Sequence, residues 1–234
     1  MKTSVISERG VSITFIKLLK LDKYPFDRIV AIDGSLHEVV TDEGKVSIVV
    51  AVGVIFSLTN MRMISNIVKE TIVEGEGEEV MRNMEYNLAN ELGTDLVLMD
   101  RKISMDVRLG IPNRVIGIVK DFEQKKRASL NSYPPPWIGI EEKDGEIVRG
   151  YFNFLRWTFM FETNVDDLQL VSSLLYSLSE EPIPESLGYN YPLFLADKLA
   201  KYYRDRRSKG MDFIWKNIKY RDFRSMIENG RKFL

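Results

Sequence analysis

The chain has 234 residues, 44% hydrophobic and 11% aromatic, enough for one large domain or two small ones with a real core. It has no cysteine, which excludes disulfides, thiolate nucleophiles and zinc–thiolate sites, and its one histidine, His37, has no nucleophile elbow near it to build a triad. The net charge of −1 conceals an asymmetry: residues 198–234 hold twelve Lys/Arg against four Asp/Glu, a basic segment on an acidic body.

Residues 1–26 carry a helical pattern around Ile13 to Leu21, expected to pack as an N-terminal addition. Arg28 to Asp33 is predicted as the first strand, closing on Asp33-Gly34-Ser35. That sequence suits a strand end that holds a divalent metal and equally suits a plain turn, with His37 a polar residue in it. Lys45 to Leu58 is β-branched, and its apolar run of 13 residues, Val46 to Leu58, is too short to span a membrane. Met61 to Thr71 is a third strand or a strand leading into a helix. Three strands in succession predict an antiparallel start to the sheet.

From Glu76 to Leu92 the period changes, with Val80, Met84, Leu88 and Leu92 at helical spacing. Asp95 to Asp100 is a second buried strand ending on an acid, and Arg114 to Lys120 another, followed by a basic helix start at Lys125-Lys126-Arg127. Ser132 to Trp137 is a loop, since three consecutive prolines exclude a helix. Glu146 to Glu162 reads as one or two strands, Val165 to Leu178 as a helix, Pro182 and Pro184 as a break, and Pro192 to Arg207 as a helix. No repeat, low-complexity linker or signal-peptide pattern is present, and the expected location is cytoplasmic.

Without cysteine and with one histidine, chemistry must rest on carboxylates, Lys, Tyr or Ser, and carboxylates favour hard cations such as Mg²⁺ or Mn²⁺. Asp33, Glu85 and Asp100 occur in the order strand acid, antiparallel strands, helix acid, strand acid, which is the layout of a ribonuclease H-like fold. The expected architecture is therefore α/β, a mixed sheet flanked by helices, with N- and C-terminal helical additions. Each acid has an ordinary structural alternative as well, in a solvated helix face or a turn.

Five blocks resemble the NurA nucleases of archaea and some bacteria: Ala31 to Ser35, Met81 to Glu85, Asp95 to Asp100, Val115 to Lys120 and Tyr189 to Asp197. The resemblance implies a single nuclease domain over 1–234, with its core at about 27–208 and a basic, apolar extension at 209–234. It implies 5′–3′ exonuclease and single-strand endonuclease activity on DNA ends, with two Mn²⁺ or Mg²⁺ ions. It further implies a homodimer working with a hexameric HerA-type ATPase translocase, and no membrane. By position, Asp33, Glu85, Asp100 and Asp197 correspond to metal ligands, and Lys120 and Tyr189 to further catalytic residues. Two departures stand out: Asp100-Arg101-Lys102 replaces the usual Asp-Gly-Ser, and Asp197 replaces a helix histidine.

Lys125, Lys126, Arg127, Arg204, Arg206 and Arg207 are the candidate contacts to a phosphate backbone. Tyr133 and Trp137 flank the proline loop, to stack on unpaired bases or to pack on the body. The alternative reading is a catalytically weak NurA-like paralogue that binds DNA or a translocase. An actin-like ATPase is a third, for which Asp33-Gly34-Ser35 is the only candidate phosphate loop.

Overall fold

A computed structural model of the chain describes residues 5–8, 11–41, 44–93, 95–180 and 188–210. In chain order the elements are β1 (Val5–Glu8), β2 (Val11–Ile16), β3 (Arg28–Thr41), β4 (Gly44–Ser57), β5 (Arg62–Glu74), α1 (Glu78–Leu92), β6 (Val97–Met99) and β7 (Val115–Val119). There follow α2 (Gln124–Leu130), β8 (Trp137–Asp144), β9 (Ile147–Asn153), β10 (Phe159–Thr163), α3 (Leu168–Leu178) and a helix α4 over 191–210. All ten strands join one sheet in the order β1-β2-β8-β9-β10-β7-β6-β3-β4-β5. Among the described residues only β3, β6 and β7 run parallel, and every other pairing is antiparallel.

Alternation along β3 sends side chains to two different cores. Ile29 and Ala31 join Val50, Val52 and Val54 of β4 beneath α3 and α4, where Leu174, Leu193 and Ala196 are buried. Val30 and Ile32 face the other way, toward Tyr86, Leu88 and Ala89 of α1. Apolar residues on both faces explain why β4 reads as a continuous β-branched run rather than an alternating one.

Several expectations are corrected. The helix expected around Ile13 to Leu21 is instead strand β2 over its first half, antiparallel to β1 and β8. The N-terminal addition is thus two strands, and Ile13 packs with Trp137, Tyr151 and Met160. The first predicted strand does not end at Asp33: β3 runs on to Thr41, with Asp33 opposite Val52 and His37 opposite Ile48 in the ladder to β4. Gly34 is therefore no turn. A Cβ there would collide with Glu85 Oε1 and stand 2.7 Å from Met81 Cγ, so the glycine lets α1 press against the strand.

The loop expected to end at Trp137 gives way to strand β8 at that residue. Tyr133 and Trp137 pack edge-on against Phe15, with ring centroids 5.8 and 5.6 Å away, and Trp137 is buried rather than open to stacking bases. Pro182, Pro184 and the extension beyond residue 210 lie outside the described residues.

Candidate active site

The parallel strands set the position of the site. Pairing in this part of the sheet stops at Ile32–Met99 and Met99–Gly117, so Asp33 and Asp100 are each one residue beyond the last paired level. β3 continues past that level without β6 beside it, which opens a gap at the carboxyl ends of β6 and β7. Ligands of open α/β sheets sit at such ends. A cleft of about 380 Å³ lies here, lined by Asp33, Gly34, Met81, Glu85, Asp100, Arg101, Lys102, Val119, Lys120 and Asp121.

Asp33 is buried, and its one hydrogen bond among the described residues comes from Gly34 N at 2.9 Å. Burial, then the charges of Asp100 and Glu85, hold its carboxyl well above the usual carboxylate range. Glu85, on α1, is 2% exposed and accepts from Arg101 Nε at 2.5 Å. Burial raises its pKa too, although Arg101 opposes the shift. Asp100 is ion-paired to Lys120, just past the end of β7. Burial alone would lower the Lys120 pKa, but Asp100, with Asp33 and Asp197 beyond it, wins and holds it above the ordinary lysine value.

Tyr189 supports this group from beneath. Its ring lies 4.6 Å from Lys120 Nζ, and its buried hydroxyl faces Asp100 without a well-formed hydrogen bond among the described residues. Burial and the surrounding acids push that hydroxyl far above the ordinary tyrosine value. Asp197, on α4, pairs with Lys201 at 2.7 Å while its charge still reaches Asp33, Lys120 and Tyr189. The six expected site residues thus share one end of the sheet. Among the described residues, however, no three His, Cys, Asp or Glu side chains are gathered closely enough to hold an ion without rearrangement.

The donor chemistry nevertheless fits a hard divalent cation. The acids offer only oxygen, and Asp33 is a buried carboxylate with no cation bonded to it among the described residues, in a field of like charge that an ion would relieve.

The expected phosphate contacts divide. Lys125 is exposed, but Lys126 is paired with Glu141 and lies over the Tyr151 ring. The Arg127 guanidinium is held between Phe122 and Trp157, 4.5 and 4.9 Å away, and donates to the Lys120 carbonyl. Arg204 donates to Ser35 Oγ at 2.9 Å, two residues past Asp33, while Arg206 and Arg207 are exposed.

Sequence reasoning missed two supports. Arg101, noted only as a departure, is the partner of Glu85. Glu162 is fully buried and fixes the segment after Arg101 by accepting from Ser104 N at 2.8 Å, Ser104 Oγ at 2.9 Å and Arg149 Nε at 3.1 Å. Gly117 was the available signal for this crossing: a Cβ there would strike the Arg101 carbonyl and lie 2.8 Å from Ile103 Cγ2.

A mixed sheet with helices on both faces and acids at the ends of adjacent parallel strands defines a ribonuclease H-like fold. Solved structures agree. The NurA nuclease from Sulfolobus solfataricus is 15% identical with a TM-score of 0.53, over 84% of this chain and 87% of that one. Endonuclease V from Bacillus subtilis is 15% identical with a TM-score of 0.55, over 85% and 88%. A structure of NurA bound to dAMP and manganese is 9% identical with a TM-score of 0.50, over 77% and 86%. Residues 27–138, a little under half of the chain, match the family model of the NurA domain. No curated protein matches it by sequence. Among the described residues no helix is long and apolar enough to cross a membrane.

Proposed function

We propose that the protein is a metal-dependent deoxyribonuclease, hydrolysing phosphodiesters at DNA ends by 5′–3′ exonuclease and single-strand endonuclease action. The observation that carries this reading is the placement of Asp33 and Asp100 one step beyond the last β3–β6–β7 pairing, with Glu85 and Lys120 at the same end. The NurA domain and the NurA structure with dAMP and manganese support it. Asp33, Glu85, Asp100 and Asp197 are the carboxylates that would hold Mn²⁺ or Mg²⁺. A divalent cation there supplies an acidified water and charge neutralisation at the phosphate. Lys120, held cationic by Asp100, stabilises negative charge developing on the phosphate oxygens. Tyr189 fixes the lysine through its ring, and Arg204, bonded to Ser35, anchors α4 beside the strand that bears Asp33.

The family resemblance supports a single domain over 1–234, a homodimer, and a hexameric HerA-type translocase as partner. The terminal strands β1 and β2 lie in the same sheet as the core, which favours one domain. End-labelled single- and double-stranded DNA should be degraded with Mn²⁺ or Mg²⁺, and Asp33→Ala should abolish the cleavage. The pairing of Glu85 and Asp100 with protein cations favours a second reading, a weak paralogue that binds DNA or a translocase. Absence of cleavage with both metals, alone and with a translocase, selects it.

A further inference from the structure

The cleft already contains protein cations where a metal site would hold only acids. Asp33, Glu85 and Asp100 contribute three negative charges when ionised, and Arg101 and Lys120 return two positive ones through Glu85 and Asp100. What remains is about one charge, on the carboxylate with no cation bonded to it. One divalent ion at Asp33 turns that remainder positive for a phosphate. A second ion would have to displace a guanidinium from a glutamate that is only 2% exposed.

Arg101 is poorly placed to give way. Its backbone is packed over Gly117, and Ser104, three residues on, is fixed to buried Glu162 through both its N–H and its hydroxyl. Its Nε is committed to Glu85. Its Nη atoms make no hydrogen bond among the described residues, and the side chain lines the cleft. A guanidinium so placed has donors left for phosphate oxygens and keeps its charge at every working pH. The next acid in its direction, Asp106, is buried and already engaged by Tyr86 Oη at 3.2 Å and Arg82 Nη1 at 3.4 Å.

We propose that Arg101 stands in place of a second metal ion at Glu85: the site takes one divalent cation, at Asp33, and the guanidinium is the second positive charge on the phosphate. Arg101 then contacts the phosphate directly, and Glu85 is its seat rather than a ligand. The proposal rests on the metal-dependent reading above, takes Glu85 out of that reading's ligands, and narrows the two ions that the resemblance implies to one.

The test counts Mn²⁺ ions on the full chain without DNA, by calorimetry and by paramagnetic resonance of the free ion. The wild-type protein should bind one ion per chain up to ~1 mM, the weak end of carboxylate sites. Arg101→Met, which keeps bulk and removes charge, should bind two, and Arg101→Lys should restore one. Glu85→Gln, which removes one charge from the cleft but no ligand, should still bind one ion per chain, weakened by less than the ~10-fold that loss of a true ligand costs. Circular dichroism melts establish that each variant is folded, and Glu85→Gln decides the matter should Arg101→Met unfold. Two ions on the wild type, a single unchanged ion on folded Arg101→Met, or an ion weakened ~10-fold or more on Glu85→Gln overturns this proposal and leaves the nuclease reading standing. No Mn²⁺ on any form overturns both.

Discussion

Asp33 is placed where its own charge is unfavourable. Its carboxyl is buried beside two other acids, so the folded chain holds its proton more tightly than the unfolded chain does, above an ordinary value near 3.8. The stability it contributes is therefore complete below that value and is lost as pH rises through the raised folded value. At neutral pH without metal the residue destabilises the fold. Asp33→Asn should abolish cleavage yet raise the melting temperature of the metal-free protein at pH 7, by a few degrees, since ~1 kcal/mol is worth about 2–4 °C in a chain of this size. The gain should shrink as the pH is lowered toward 4, and scanning calorimetry across that range checks it. Gly34 makes the opposite case, because its backbone is unremarkable and only space forbids a side chain. Gly34→Ala must push Glu85 and Met81 outward. It should cost ~1–3 kcal/mol in urea unfolding, the range of overpacked interiors, and reduce cleavage with it.

Elements were legible where one segment determines its own fate. β4 announces itself by β-branched residues that satisfy two cores, and α1 by a four-residue repeat that places Leu88 against β3. The acids after β3's paired stretch and β6, and the lysine after β7, were visible because apolar runs stop there. What the chain concealed depends on distant partners. β2 becomes a strand because β8, more than a hundred residues away, offers it a ladder. β8 itself begins on a proline loop and ends in charged residues, a pattern that reads as a loop until β9 and β2 flank it. Asp33-Gly34 looked like a strand end because the break belongs to β6, the neighbour, and not to β3. The Arg101–Glu85 pair was hidden for the same reason, since it needs the chain to cross β7 at Gly117. The helix expected from Val165 begins instead at Leu168, where Asp167 accepts from Gln169 N at 3.1 Å and Leu170 N at 3.0 Å. Asp167→Ala should cost ~1 kcal/mol of stability, measured by chemical denaturation, and leave cleavage unchanged.

Across the whole molecule, positive charge is not uniformly available to a polyanion. Cations near the acidic sheet end are largely committed inside the protein: Lys120 to Asp100, Arg101 to Glu85, Lys126 to Glu141, and Arg127 to two aromatic rings and a carbonyl. Those farther along α4, Arg206 and Arg207, are exposed and lie toward the basic end of the chain. A phosphate backbone binds cations that can release its counterions, and a cation already neutralised by a buried carboxylate releases few. The two groups should therefore respond differently to mutation. Arg206→Ala with Arg207→Ala should weaken DNA binding across all sequences and lower the slope of log affinity against log salt by ~1–2, read by fluorescence anisotropy at several salt concentrations. Melting temperature should hardly move, because both side chains are exposed. Arg127→Ala should leave that slope unchanged and lower the melting temperature instead, since it empties the space between Phe122 and Trp157 and frees the carbonyl of Lys120. Cleavage should fall with it, because the strand end that carries Lys120 loses its anchor. A slope that falls with Arg127→Ala and stays constant with the α4 pair would place the DNA path along α2 rather than α4.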